Sequence, residues 1–98
     1  MTKLFWTPEA IQDREDIYDY IEADNPTAAL DLDELFEEKA ALLVDHPNVG
    51  RPGRVPGTRE LVAHRNYLVI YDVADGLVRV LNVVHAVRQW PPVREQAA

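Results

Sequence analysis

Residues 67–85, with the sequence YLVIYDVADGLVRVLNVVH, decide the fold of this chain. Val, Ile, Leu and Tyr dominate residues 67–73 and 77–85, a composition typical of β-strands. Between these two runs, Asp75 and Gly76 favour a tight hairpin turn. The stretch therefore predicts an antiparallel β-hairpin.

Alternation along residues 77–85 assigns the side chains of the second strand to two faces. One face is predicted to hold Leu77, Arg79, Leu81, Val83 and His85, and the other, which helices would cover, holds Val78, Val80 and Val84. Arg79 and His85 would then share a face, with Arg88 just beyond the strand end.

Upstream of the hairpin, TKLFW at residues 2–6 and RELVAH at residues 59–64 also read as strands. The apolar spacing predicts two helices over about 8–23 and 26–45. Thr7 and Asn25 are the predicted N-caps of these helices, and Pro8 and Pro26 are their first residues. The short joint between the helices requires an antiparallel pair. The residues predicted to be buried on the helices are Ile17, Ile21, Leu32, Leu35 and Phe36, and the spacing assigns Leu42 to the same buried stripe of the second helix.

These elements predict an α+β fold with the order βααβββ. A small antiparallel four-stranded sheet packs against an N-terminal helical hairpin. Residues 1–98 are expected to form one domain, in which 91–98 is a mobile tail.

The composition excludes several classes of protein. The chain has no cysteine, which excludes disulfide bridges, zinc ribbons and thiol nucleophiles and favours a reducing cytoplasm. No apolar run is long enough to span a membrane, and the N-terminus does not resemble a signal peptide.

The formal net charge is −7, but residues 1–45 carry thirteen of the seventeen acidic residues and 46–98 carry seven of the ten basic ones. This asymmetry suggests two surfaces with different partners, although an acidic face that only confers solubility is an equal alternative.

Residues 50–61, GRPGRVPGTREL, concentrate arginine in this acidic protein. The glycines resemble a phosphate-binding loop, but a strand follows instead of a helix, and the Lys-Ser/Thr pair is missing. We therefore expect a shaped connector and no nucleotide site. Arg51 and Arg54 have two open interpretations, a binding patch or a solvated loop.

Titratable residues near the predicted sheet allow an RNA-cleaving arrangement. A carboxylate, a histidine and arginines can transfer protons and stabilise phosphorane charge. These residue types are supplied by Glu60, His85, Arg59, Arg79 and Arg88. An equal interpretation is a histidine at the end of a strand beside exposed arginines, with no catalytic role. The three histidines are far apart in sequence without an HExxH pattern, so neither a metal site nor a cofactor is expected.

Several segments in order resemble the RelE/ParE superfamily of bacterial type II toxins: WTPEAIQDREDIYDYI, DNPTAA, GRPGRVPGTREL, YLVIYDV and VLNVVHAVRQWP. The resemblance covers residues 6–91, and the combination of segments is more specific than any one of them. It implies a helical hairpin on a small sheet, and an antitoxin encoded beside the toxin whose C-terminal segment wraps and neutralises it.

The two branches of this superfamily imply different targets. RelE-type toxins cut mRNA in the ribosomal A site with basic residues on the sheet, and ParE-type toxins poison DNA gyrase. Arg59 fits one basic position of the RelE pattern, but Leu61, Leu68 and Ala86 occupy three others, with Arg88 two residues late. The step VVH at His85 resembles the ParE branch, so inhibition of gyrase without catalysis is the favoured prediction.

The resemblance implies the following site. Residues expected to contact the target or the antitoxin are Arg51, Arg54, Arg59, Arg79, His85, Arg88 and Trp90. An acidic, antitoxin-facing helix surface is expected from Asp31, Glu34, Glu37 and Glu38. The alternatives are a ribosome-dependent mRNA endonuclease and an interaction domain that is no longer toxic. The net charge of −7 departs from both branches and argues against broad binding to ribosomal RNA. Neither membrane binding nor sequence-specific DNA binding by this chain is expected.

Overall fold

The computed structural model describes residues 2–87, which form two helices and a five-stranded sheet. The elements in chain order are β1 (Lys3–Trp6), α1 (Pro8–Glu22), α2 (Pro26–Asp45), β2 (Arg51–Pro52), β3 (Thr58–His64), β4 (Tyr67–Ala74) and β5 (Leu77–His85). The predicted α+β fold is confirmed, and both helices begin at the predicted prolines. The predicted tail at 91–98 lies outside the described residues.

Local sequence signals explain where these elements begin and turn. The Oγ1 of Thr7 accepts a hydrogen bond from the Ala10 N–H at 3.1 Å, and the Oδ1 of Asn25 accepts one from the Ala28 N–H at 3.1 Å. Each bond satisfies a helical N–H that has no partner within its helix. At the hairpin turn Asp75 and Gly76 have φ of 52° and 73°, the conformation that this pair favours.

The strand order in the sheet is β1-β5-β4-β3-β2. The pairs β3–β4 and β4–β5 are antiparallel as predicted, and β2, which was not predicted, also pairs with β3 in antiparallel orientation. The pairing of β1 with β5 is parallel, which differs from the predicted antiparallel sheet. A parallel neighbour is possible because the whole helical hairpin lies between β1 and the sheet strands that follow it. The fifth strand, β2, is only two residues long, too short to leave a strand pattern in the sequence.

The core lies between the helices and one face of the sheet. Its main buried residues are Ala10, Leu32, Phe36, Ala40, Ala63, Val69, Val80 and Val83, and a smaller cluster holds Leu43, Tyr71 and Val78. Leu32 and Phe36 are buried as predicted. Ile17, Ile21 and Leu35 are only partly buried, although they pack against the main cluster.

A bulge in β5 overturns the predicted faces of its second half. Ile70 pairs with Asn82 but Tyr71 pairs with Val80, so Leu81 has no partner of its own on β4. One extra residue exchanges the faces of the side chains that follow it. The prediction that Arg79 and His85 share a face, with Val84 under the helices, is therefore wrong.

The free edge of β5 beyond β1 is covered by α1. The Asp13 Oδ2 accepts hydrogen bonds from the Val83 N–H at 3.0 Å and the Asn82 side-chain amide at 2.9 Å. A carboxylate thus satisfies a strand N–H where β1 has ended. This contact fixes α1 across the bulged half of the strand.

Arg14 joins β1, α1 and α2. Its guanidinium lies 4.6 Å from the centre of the Trp6 ring and donates to both carboxylate oxygens of Asp33, at 2.9 and 2.8 Å. Burial lowers the pKa of Arg14, but the hydrogen bonds that Arg14 donates to Asp33 and Glu37, together with the charges of these carboxylates, outweigh this effect, so the net shift of the pKa is upward. A raised pKa stabilises the folded state at every pH at which the guanidinium is protonated, so this contribution is complete at neutral pH.

Neither helix within residues 2–87 has the length and apolar character that a membrane crossing requires.

Candidate functional site

The Gly/Arg loop, defined as residues 47–57, is held against the sheet by two side chains. The Tyr71 hydroxyl donates to the Pro47 carbonyl at 2.8 Å and accepts from the Gly50 N–H at 2.9 Å. The Arg59 guanidinium donates to the Gly50 carbonyl at 2.7 Å and to the Asn48 carbonyl at 3.3 Å. These bonds give the loop a fixed path, as the sequence predicted for a shaped connector.

Gly50 is required by the close approach of this loop to the sheet. A Cβ at Gly50 would lie 2.6 Å from the Tyr71 hydroxyl oxygen and 2.9 Å from the backbone carbonyl oxygen of Glu60. Both distances are too short for carbon, and a strand carbonyl cannot move aside without breaking its ladder.

Most of the arginines expected to form a basic patch have acidic or backbone partners. Arg51 faces Glu60 across the β2–β3 ladder, with 3.1 Å between its Nε and the carboxylate. Arg79 faces Asp72 across the β4–β5 ladder, with 2.9 Å from Nε to Oδ1. The hydrogen bonds that Arg79 donates to Asp72, together with the negative charge of Asp72, raise the pKa of Arg79. The guanidinium groups of Arg51, Arg59 and Arg79 therefore mainly hold the strands and the loop in place.

Arg54 differs from these residues. It is exposed, and within residues 2–87 its side chain has no hydrogen-bond or ion-pair partner. It borders a hollow of about 70 Å³ on the face of the sheet that points away from the helices. The other residues that line this hollow are Arg51, Glu60, Leu68, Ile70, Val84 and Ala86.

The residues proposed for RNA cleavage are not brought together. His85 lies on the helix side of the sheet, where its ring contacts the Tyr67 ring with 5.1 Å between centres. Tyr67 in turn packs edge-on against Phe36 of α2. Glu60 lines the hollow on the opposite face, so the sheet separates the candidate acid and base.

The histidine tautomer follows from a local contact. The His85 Nδ1 accepts a hydrogen bond from the Val87 N–H at 3.3 Å, so the proton of the neutral ring lies on Nε2. Arg88 and Trp90 lie outside the described residues, and their expected roles stay predictions. Within residues 2–87, no three His, Asp or Glu side chains meet as metal ligands.

The four acidic residues expected to face an antitoxin are all exposed on α2. Asp31, Glu34 and Glu38 have no ion-pair partner among the described residues, whereas Glu37 lies 3.4 Å from Arg14. Beside them, a groove of about 410 Å³ runs between the helices. Its lining residues are Ile11, Arg14, Glu15, Tyr18, Asp19 and Asp33.

Tyr71, the anchor of the Gly/Arg loop, was not identified from the sequence. It stands in the apolar run YLVIYDV, where a tyrosine reads as another strand residue. A buried tyrosine hydroxyl needs a hydrogen-bond partner, and this requirement is the only available signal. The partners lie 21 and 24 residues away, so sequence spacing does not reveal them.

Comparison with known proteins extends these observations. Residues 4–90 match the family model described as ParE toxin of the type II toxin–antitoxin system, parDE. The Sinorhizobium fredii (strain NBRC 101917 / NGR234) protein Y4kP is 38% identical over 92 residues, which cover 93% of this chain and 95% of that protein. Toxin RelE2 of Caulobacter vibrioides (strain ATCC 19089 / CIP 103742 / CB 15) is 36% identical over 88 residues, 90% of this chain and 99% of that protein.

Two solved structures have the same fold. A chain from the chromosomal ParDE TA system of P. aeruginosa superposes with a TM-score of 0.79 at 29% identity, covering 87% of this chain and 96% of that one. YafQ from E. coli strain BL21(DE3) superposes with a TM-score of 0.63 at 12% identity, covering 88% of this chain and 94% of that one, and at this identity it supports the fold alone. The chain belongs to the ParE toxin family of type II toxin–antitoxin systems.

Proposed function

We propose that this chain arrests growth by binding DNA gyrase, and that a cognate antitoxin neutralises it. Membership of the ParE family supports the proposal, since gyrase is the target that the ParE branch implies. The observation that carries it is the separation of His85 and Glu60 by the sheet. Gyrase is an intracellular target, so the proposed site of action is the cytoplasm.

The separation matters because acid–base catalysis requires both groups within hydrogen-bond reach of one substrate. Glu60 lies in the hollow, with its carboxylate bound to Arg51. His85 lies across the sheet beside Tyr67. One scissile phosphate cannot reach both side chains in this arrangement, which favours a binding mode of inhibition over RNA cleavage.

The test measures gyrase supercoiling and mRNA cleavage with the same preparations. We expect the wild-type chain to inhibit supercoiling and to leave mRNA intact in a translating extract. His85→Ala should inhibit supercoiling within about twofold of wild type, because inhibition by binding needs no proton transfer from His85. His64→Ala, at the end of β3, is the matched control.

Cleavage of mRNA that falls by about 10²–10⁴ in rate in His85→Ala, with normal supercoiling, would identify a RelE-like endonuclease instead. A wild-type chain that affects neither assay would identify an interaction domain without toxicity.

The antitoxin is proposed to bind the helical hairpin. The P. aeruginosa relative comes from a ParDE system, and the groove between α1 and α2 offers an apolar lining from Ile11 and Tyr18 beside acidic side chains. An amphipathic segment with Lys or Arg along one edge would complement this surface. The contact should bury more than about 1,000 Å² in total.

Charge reversal tests this contact. Asp31→Lys, Glu34→Lys and Glu38→Lys in one chain should weaken antitoxin binding at least about tenfold at low salt, and less at high salt, because exposed charges are screened. Glu37 is left unchanged because it contacts Arg14. The control variant carries the same charge change at exposed acids near the helix ends, in Glu22→Lys, Asp24→Lys and Asp45→Lys. Equal affinities of the two variants, measured by isothermal titration calorimetry, would mean that the acidic surface of α2 is only solvated.

A further inference from the structure

We propose that Arg54 is the residue through which the Gly/Arg loop contacts gyrase, and that it binds an acidic side chain of that protein. This inference rests on the proposed function and assigns its contact residue and the chemistry of the partner. It separates Arg54 from three arginines that the sequence grouped with it.

The guanidinium groups near Arg54 already have partners. Arg51 is bound to Glu60, Arg79 to Asp72, and Arg59 to two backbone carbonyls. A guanidinium must give up these bonds before it can bind a partner, and the loss offsets the gain. Arg54 makes no such bond within the described chain, so its five N–H donors are available.

Hydrogen bonds within the turn fix the backbone at Arg54. The Gly53 N–H donates to the Thr58 carbonyl at 2.8 Å, which closes the turn that carries Arg54. Inside this turn the Thr58 N–H and hydroxyl both donate to the Val55 carbonyl, at 3.0 and 2.7 Å. Less conformational freedom is lost when such a residue binds, which favours affinity.

The surface beside Arg54 is a small hollow on the sheet. This hollow is lined by apolar Leu68, Ile70 and Val84 as well as by polar Arg51 and Glu60. Its volume is about 70 Å³, which suits a small side chain. The complementary feature on gyrase is an Asp or Glu that pairs with Arg54, beside a small aliphatic side chain that fills the hollow.

A protein carboxylate fits better than the phosphates of gyrase-bound DNA. Phosphate binding relies on many accessible cations that release counterions. Here Glu60 and Asp72 neutralise Arg51 and Arg79, so Arg54 is the one arginine of this group without a partner within residues 2–87. A polyanion would gain only one such contact, whereas a single carboxylate needs only one free guanidinium.

The experiment measures the affinity of purified variants for purified gyrase without DNA, by biolayer interferometry. Arg54→Gln should weaken binding about tenfold, and Arg54→Lys should recover most of the loss. Arg65→Gln is the matched control. Arg65 is also exposed and without a partner among the described residues, but it lies on the β3–β4 turn, and its loss changes the net charge equally. It should stay within about twofold of wild type, and all three variants should keep the wild-type melting temperature.

Equal losses of gyrase affinity in Arg54→Gln and Arg65→Gln would overturn this inference and leave the proposed function intact. An Arg54 effect that appears only when DNA is present would assign the contact to phosphate and overturn the carboxylate. A wild-type chain that does not bind gyrase would overturn the proposed function together with this inference.

Discussion

Replacing Phe36 by alanine should lower the free energy of unfolding by about 3–5 kcal/mol. Phe36 is 1% exposed, and its ring meets the Tyr67 ring edge-on with 5.7 Å between centres. It lies in the main cluster with Val69, Val80 and Val83 of the sheet, so its removal leaves a cavity between the helices and the sheet. Urea unfolding followed by circular dichroism at 25 °C measures the change.

Leu42→Ala on the same helix is the control. Leu42 was predicted to belong to the buried stripe of α2 but is 49% exposed, so its truncation should cost less than about 1 kcal/mol. Similar losses in the two variants would contradict the packing of α2 on the sheet through Phe36.

The contrast between Phe36 and Leu42 shows how far periodicity predicts burial. Helical spacing assigned both residues to the inner stripe, but this stripe is wider than the sheet surface that covers it. The helix starts and the hairpin turn were predicted correctly because Thr7, Asn25 and Asp75-Gly76 act on backbone groups a few residues away.

The bulge at Leu81 could not be predicted, because its cause is not local. It lies where β1 ends and Asp13 of α1 takes over the edge of β5. The sequence VLNVVH contains no glycine that would mark an irregular strand. One extra residue moved His85 to the helix side, and the candidate nuclease site depended on that register.

The arginine-rich loop is a similar case. Counting charges predicted a basic patch, because Arg51, Arg59 and Arg79 all belong to the part of the chain that was expected to form the sheet and its connecting loop. The cross-strand partners Glu60 and Asp72 become visible only once the register pairs them with Arg51 and Arg79. Arg54 remains available because it lies on the turn, where no strand faces it. Composition therefore located the arginine-rich segment but could not identify which of its arginines has no partner within residues 2–87.

Tyr71→Phe should destabilise the chain by about 2–4 kcal/mol, although it removes only one oxygen atom. The hydroxyl bonds the Gly50 N–H and the Pro47 carbonyl, and each backbone group left without its partner in the protein interior costs about 1–3 kcal/mol. We expect the Gly50 amide to lose protection from hydrogen exchange, measured by NMR, because the loop is then held by Arg59 alone at this point.

Tyr67→Phe is the matched control for this change. It removes the same atom on the same face of β4, and the Tyr67 hydroxyl has no hydrogen-bond partner within residues 2–87. Its effect should stay within about 0.5 kcal/mol. If Tyr71→Phe also weakens gyrase binding while Tyr67→Phe does not, the path of the Gly/Arg loop is part of what presents Arg54. Equal stability of the two variants, with the Gly50 amide still protected, would mean that the loop keeps its path without the Tyr71 hydroxyl.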